Sequence, residues 1–270
     1  MPSAERDLNA DDALEDFDHR ELTFLGETKS VLVAGSGPAV IVMTEIPGIH
    51  PYVCRFARWV RDAGFTVWMP SLFGEPGQPY SIPRVRGVLL RVCISREFRA
   101  FAANRSSPVV DWLRTLAAHT HPICGGRGVG AIGMCVTGNF ALAMMLEPAM
   151  LAPVLSQPSL PLGRASGLHI GADELAQVRA RMQREDLTVL AYRFAGDRRC
   201  RAERFAAYEQ ALGDRFIGHV LPDETANREG IAGRLPPHSV VTTHLIDRDG
   251  EPTRRARDEI LEFFRERLTG

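Results

Sequence analysis

Behind an acidic, polar start, short apolar runs alternate along the chain with longer segments whose apolar positions recur every three or four residues. "SVLVAGSGPAVIVMTEIPG" reads as two strands around a Gly-Ser-Gly-Pro turn. In "PYVCRFARWVRDAG", Val53, Phe56, Ala57, Val60 and Ala63 fall near helical spacing, and Gly64 ends the pattern as a C-cap would. "FTVWMP" is a short strand stopped by Pro70. "SSPVVDWLRTLAAH" opens with a serine and a proline, as helices do. The glycine-rich run "GVGAIGM" then reads as a buried strand and "VTGNFALAMML" as the next helix. Strands "LAPVLS", "LTVLAYRFAGD" and "DRFIGHVLP" alternate with helices "ADELAQVRARMQRE" and "RAERFAAYEQALG", and the helix "PTRRARDEILEFFRERL" closes the chain. Such alternation predicts an α/β fold: a mostly parallel central sheet with helices on both faces. With no repeat or break in composition, the simplest division is a poorly packed polar arm over residues 1–20 and one domain over 21–270.

Composition narrows the classes of function. The chain has 270 residues, 45% of them apolar, and a net charge of −1. That balance gives no support to a nucleic-acid or acidic-membrane partner. Of 32 basic residues only Lys29 is a lysine, so an arginine cluster carries less information here than usual. The five cysteines form no Cys-x-x-Cys pair, which argues against a disulfide framework or a zinc site and favours reduced thiols in a cytoplasm. No apolar core marks the first residues as a signal peptide, and no run approaches the ~18 apolar residues of a membrane span. A monomer and a homodimer fit equally.

The candidate chemistry centres on "GAIGMCVTGNFALAMM". A strand runs into Cys135, a helix leaves it, and Gly133 stands two positions before it. This is the context of a nucleophile elbow with sulfur in place of oxygen. The second position after the cysteine is Thr137, and the glycine comes one later, at Gly138. The alternative is a small buried cysteine in an apolar strand. In such folds an acid and a histidine follow the nucleophile in that order. Asp197 follows a strand, where an open α/β sheet places its site, although a turn-capping aspartate reads the same way. His238 and His244 both lie between the last strand and the last helix, whereas His219 sits within the strand. Glu45 directly follows a buried-looking strand, where an unpaired carboxylate would be costly. It is either a partner for the Cys135 thiol or a solvated loop residue.

Taken together, "TEIPGIHPYV", "GFTVWMPSLFG", "GMCVTG", Asp197 and "HSV" resemble the dienelactone hydrolase family over roughly residues 25–268. The resemblance implies an α/β hydrolase fold and a Cys–His–Asp triad that cleaves a small-molecule ester or enol lactone through a cysteine acyl-enzyme. No cofactor and no metal is implied. On that basis Cys135 is the nucleophile, His238 the general base and then acid, and Asp197 the residue that orients His238. The amides of Ile46 and Val136 form the oxyanion hole. Glu45 holds the resting thiol and is displaced when substrate binds. The family elbow reads Gly-x-Cys-x-Gly-Gly and its histidine Gly-His-Ser; the serine kept in "Pro-His-Ser" favours His238 over His244. Family arginines hold the carboxylate of the lactone acid. The arginine-rich segment 83–105 offers Arg96 and Arg99 for that task, against a plain solvated helix face. Thr137 and the arginine segment also leave open a hydrolase-fold protein that binds or senses a ligand without turning it over.

Overall fold

The computed structural model describes residues 6–94, 107–159 and 165–270. Eight strands form one sheet: β1 Asp18–Phe24, β2 Glu27–Gly35, β3 Ala39–Met43, β4 Thr66–Pro70, β5 Val129–Met134, β6 Met150–Ser156, β7 Val189–Phe194 and β8 Phe216–Leu221. Their order is β1-β2-β4-β3-β5-β6-β7-β8. The pairs β1–β2 and β2–β4 are antiparallel, and all others are parallel. No helix among the described residues is long and apolar enough to cross a membrane.

Period-two alternation divides the core into two layers. In β3, Ile41 and Met43 face one apolar cluster, and Val40 and Val42 face the other. On the first face lie α3 (Pro108–Cys124), α4 (Gly138–Ala143), α5 (Ala172–Glu185) and α6 (Ala202–Leu212). On the second lie α1 (Pro51–Asp62) and α7 (Pro252–Leu268). A further helix, α2, spans Ile82–Ile94. The helix expected from "VTGNFALAMML" is shorter than its pattern, because a tight turn over Cys135–Thr137 precedes α4.

The expected loose arm is the main correction. Within it, Leu14 and Phe17 are 4% and 5% exposed and join the cluster that holds α1. Arg58 of α1 donates to both carboxylate oxygens of Asp12 (2.7 and 2.8 Å) and of Asp16 (2.8 and 2.7 Å). Arg61 adds a third contact, to Asp16 at 2.6 Å. Further on, Asp12 N–H donates to Gly77 O (2.8 Å), and Gly77 N–H to Ile49 O (2.7 Å). Charges that seek solvent in isolation are here matched by arginines of a distant helix, and bidentate guanidinium pairs hold them. The arm then runs straight into β1, whose Leu22 and Phe24 pack against the core.

Removing Arg58 leaves the buried Asp12 carboxylate without its bidentate partner and takes two of the contacts that hold Asp16. Arg58→Ala is expected to lower stability by about 3 kcal/mol, read as a lower urea midpoint with an unchanged slope; a midpoint equal to that of the wild type would make the arm a bystander.

Candidate active site

The bend after β5 is shaped by steric necessity. Cys135 has φ +55°, in the left-handed region that non-glycine residues rarely adopt. A Cβ on Gly133 would lie 2.0 Å from Thr137 O, so the position two before the cysteine must be glycine. Gly138 is equally constrained, since a Cβ there would sit 2.6 Å from Pro158 Cα. The position between, where the family has its first glycine, tolerates a side chain. Thr137 is fully buried, and its Oγ1 accepts the Met134 N–H at 2.8 Å. The same hydroxyl lies 3.0 Å from Met43 O, 3.2 Å from Thr44 O and 3.0 Å from Met134 O, and can donate to one of them at a time. The bend is thereby braced against the end of β3, where the Glu45 loop begins.

Asp197 leaves β7 and is buried. Its Oδ1 accepts the N–H groups of Arg199 (2.8 Å) and Cys200 (3.1 Å), which orients Oδ2 toward His238 Nδ1 at 2.7 Å. Burial opposes the charge on Asp197, but His238 and the two amides outweigh it and hold its pKa below the ordinary carboxylate value. His238 lies between β8 and α7 and is itself buried. Burial alone would push its pKa down; the charges of Asp197 and Cys135 overcome it and push the imidazole up to about 10. Its Nε2 forms no hydrogen bond with the described residues.

His244 has a different environment. Its Nδ1 accepts the Ser239 N–H (3.2 Å) and its ring meets Phe194 edge-on at 6.1 Å. Burial, and then the neighbouring His238, lower its pKa to about 4. Of the two candidate histidines, then, it is His238 that meets the aspartate. His219 stacks on Tyr192 and pairs with Glu259 at 3.1 Å, as a face residue of β8.

Cys135 is 7% exposed and borders a cavity of about 340 Å³. Its lining includes the apolar Ile46, Val85, Leu89 and Val136 and the cationic Arg198, Arg199, Arg201 and Arg204. Ile46 and Val136, the expected oxyanion residues, line the same cavity as the sulfur. Arg96 and Arg99 lie outside the described residues. Among the described residues, the arginines that line the cavity come from "DRRCRAER", a stretch in which sequence reasoning singled out Asp197 alone. Tyr80 reaches the same cavity; burial, and then Glu45, raise the pKa of its phenol.

Glu45 differs from expectation in its partners. Its carboxylate, in a residue 2% exposed, accepts the hydroxyls of Ser239 (2.6 Å) and Thr242 (2.5 Å) and the Gln157 amide (3.4 Å). His50 Nε2 lies 3.4 Å from Oε1. Burial works against the charge, yet these donors, led by His50, bring the pKa down to about 2. Among the described residues, the side-chain partner of Cys135 Sγ is Ser159 Oγ, at 3.2 Å. Neither Ser159 nor Gln157 belongs to a motif. The one sequence signal for this network is the hydroxyl-rich run after His238, "SVVTT".

Comparison with known proteins follows the same lines. The model of the dienelactone hydrolase family matches residues 23–157, half of the chain. Among curated proteins, a carboxymethylenebutenolidase from Pseudomonas sp. (strain P51) is 30% identical over 120 residues, covering 42% of this chain and 46% of that protein. One from Rhodococcus opacus is 26% identical over 114 residues, covering 40% and 38%. The chain thus spans less than half the length of the curated relatives it matches. A candidate dienelactone hydrolase from Klebsiella pneumoniae subsp. pneumoniae MGH 78578 superposes with a TM-score of 0.62 at 19% identity, over 92% of this chain and 97% of that one, which shows the α/β hydrolase fold. The family match contains Glu45 and Cys135; Asp197 and His238 lie beyond it and rest on geometry.

The His238–Asp197 pair has a pH signature. A histidine with a raised pKa contributes stability that is fully present below its unfolded value near 6.5 and is lost as pH climbs through about 10. The depressed carboxyl of Asp197 sets the acid limit, below its ordinary value of 3.8. The melting-temperature gap between wild type and Asp197→Asn is therefore expected to be widest between roughly pH 4 and 6.5 and to close toward pH 10; a gap independent of pH would contradict the pairing.

Proposed function

Since this chain belongs to the dienelactone hydrolase family, we propose that it is a carboxylic ester hydrolase that opens a small-molecule ester or enol lactone through an acyl-enzyme on Cys135. The observation that carries this reading is a sulfur on a left-handed bend, near enough for its charge to raise the pKa of His238, whose Nδ1 is held by Asp197 at 2.7 Å.

In the first step the Cys135 proton passes to His238 Nε2 and the sulfur attacks the ester carbonyl. The developing oxyanion sits beside the backbone amides of Ile46 and Val136; one such donor is worth on the order of 3 kcal/mol. As the tetrahedral intermediate collapses, the C–O bond breaks and His238 returns its proton to the leaving alcohol or enol, leaving a thioester. Water then gives a proton to His238, attacks the thioester carbonyl and frees the acid, and the sulfur recovers the proton. Acid–base help of this kind contributes roughly 10²–10⁴-fold. Because its pKa is raised, His238 is a strong base toward the thiol and keeps the proton it takes until the leaving group collects it. An enol leaves readily, which suits a thiol nucleophile better than an amide substrate would.

The cavity walls indicate the shape of the substrate. An apolar body fits against Val85 and Leu89, and a carboxylate fits Arg198, Arg199 or Arg201. The rival reading, a binding protein without turnover, drew on Thr137 and on the arginine segment, part of which lies outside the described residues; only Thr137 bears on it here. Its hydroxyl is engaged with the backbone of β3 and β5 instead, which weighs against that reading.

Cys135→Ala is expected to lower kcat on p-nitrophenyl acetate and on a cis-dienelactone by at least about 10³-fold, and mass spectrometry of the wild type during turnover is expected to reveal an acyl group on Cys135. Turnover retained by the variant would sink the assignment. Saturable binding without acylation would favour the non-catalytic protein.

A further inference from the structure

Two buried groups near the sulfur have partners that the reaction above leaves unused. Ser159 is 2% exposed, and its N–H donates to Cys135 O at 2.8 Å. Its neighbour Pro158 is the residue that packs against Gly138. The backbone thus fixes Ser159 over the bend, and its hydroxyl meets Cys135 Sγ at 3.2 Å. Among the described residues that sulfur is the one hydrogen-bonding partner of the Ser159 hydroxyl.

Glu45 is committed elsewhere. Two hydroxyls and an amide converge on its carboxylate, with His50 beside it. Swinging the carboxylate to the thiol would strand those buried donors, each of which costs free energy when left unpaired. Its two hydroxyl partners belong to the segment that begins with His238: Ser239 is the next residue and Thr242 follows three later. Gln157 holds the same segment by accepting the Val240 N–H at 3.2 Å.

We propose that Ser159, rather than Glu45, is the resting partner of the Cys135 sulfur, and that Glu45 is a positioning residue which holds the segment carrying His238. The proposal rests on the hydrolase reading for its purpose, though not for its test. The chemical consequence is definite. A carboxylate against the sulfur opposes negative charge there and must be displaced before attack. A hydroxyl can turn to donate to the sulfur as charge develops there, and so favours that charge. The nucleophile of this chain is therefore armed before substrate arrives.

The test is alkylation of Cys135 by iodoacetamide in the full chain without substrate, followed at pH 7 by peptide mass spectrometry. Ser159→Ala is expected to slow alkylation roughly tenfold, the effect of one hydrogen bond to a charged sulfur, and Ser159→Thr, which keeps the hydroxyl, to restore most of the rate. Glu45→Gln is expected not to speed alkylation, while lowering kcat with little change in KM, because it acts through His238. Unchanged or faster alkylation in Ser159→Ala overturns the proposal, as does Glu45→Gln alkylating several-fold faster than wild type. The serine pair decides the first half even if the glutamine variant fails to fold. Alkylation needs no ester, so a wild type that shows this pattern without hydrolysing any ester refutes the hydrolase reading and leaves the proposal standing.

Discussion

One buried carboxylate ties the two halves of the site together. Glu45 leaves β3 in the first quarter of the chain, and Ser239, 194 positions later, donates to it. An ionised group at this depth is tolerated only because hydroxyl, amide and imidazole partners replace the water it has lost. The elbow leans on the same place, since Thr137 contacts the carbonyls of Met43 and Thr44 just before Glu45. Sulfur, imidazole and the loop behind the cavity are therefore registered against a common point. The sheet brings their strands near one another, and this polar knot adjusts their final positions.

The elbow also shows which part of a motif is steric and which is replaceable. Positions 133 and 138 face backbone or proline within contact distance and admit only glycine. Position 137 faces the carbonyls of Met43, Thr44 and Met134 and accepts a hydroxyl. A glycine there would leave the bend turned the same way but without its strut.

Much of this was legible in the sequence because it is written in local patterns. Alternating strands and helices gave the layers, and the order cysteine, aspartate, histidine picked out Cys135, Asp197 and His238. The single serine after His238 separated it from His244, and the Asp197 contact agrees. What was not legible depends on distant partners. The arm over residues 6–17 looked like solvent-seeking chain because its acids carry no sign of Arg58, some forty positions on. Leu22 and Phe24 alternate with polar neighbours as a strand requires, but too briefly among charges to mark β1. The sequence reading drew on the arginines of 83–105, of which Arg96 and Arg99 lie outside the described residues; the arginines of the loop after β7 and of the first turns of α6 carried no motif, though they line the cavity. Ser159 matters solely through the fold that lays it over the bend, and Glu45 could not be assigned its partners before the 239–242 segment had a place.

The docked arm reaches further than its own anchoring. Asp12 is stitched to Gly77, and Gly77 to Ile49, so the earliest described part of the chain is knitted into the hairpin of loops from which Tyr80 and then α2 emerge. Those are the elements that supply the phenol and the aliphatic side of the chamber. Trimming the chain past Asp12 therefore removes a backbone tie on the segment that leads to Tyr80 and α2, so the amino terminus and the lining of the chamber share one anchor.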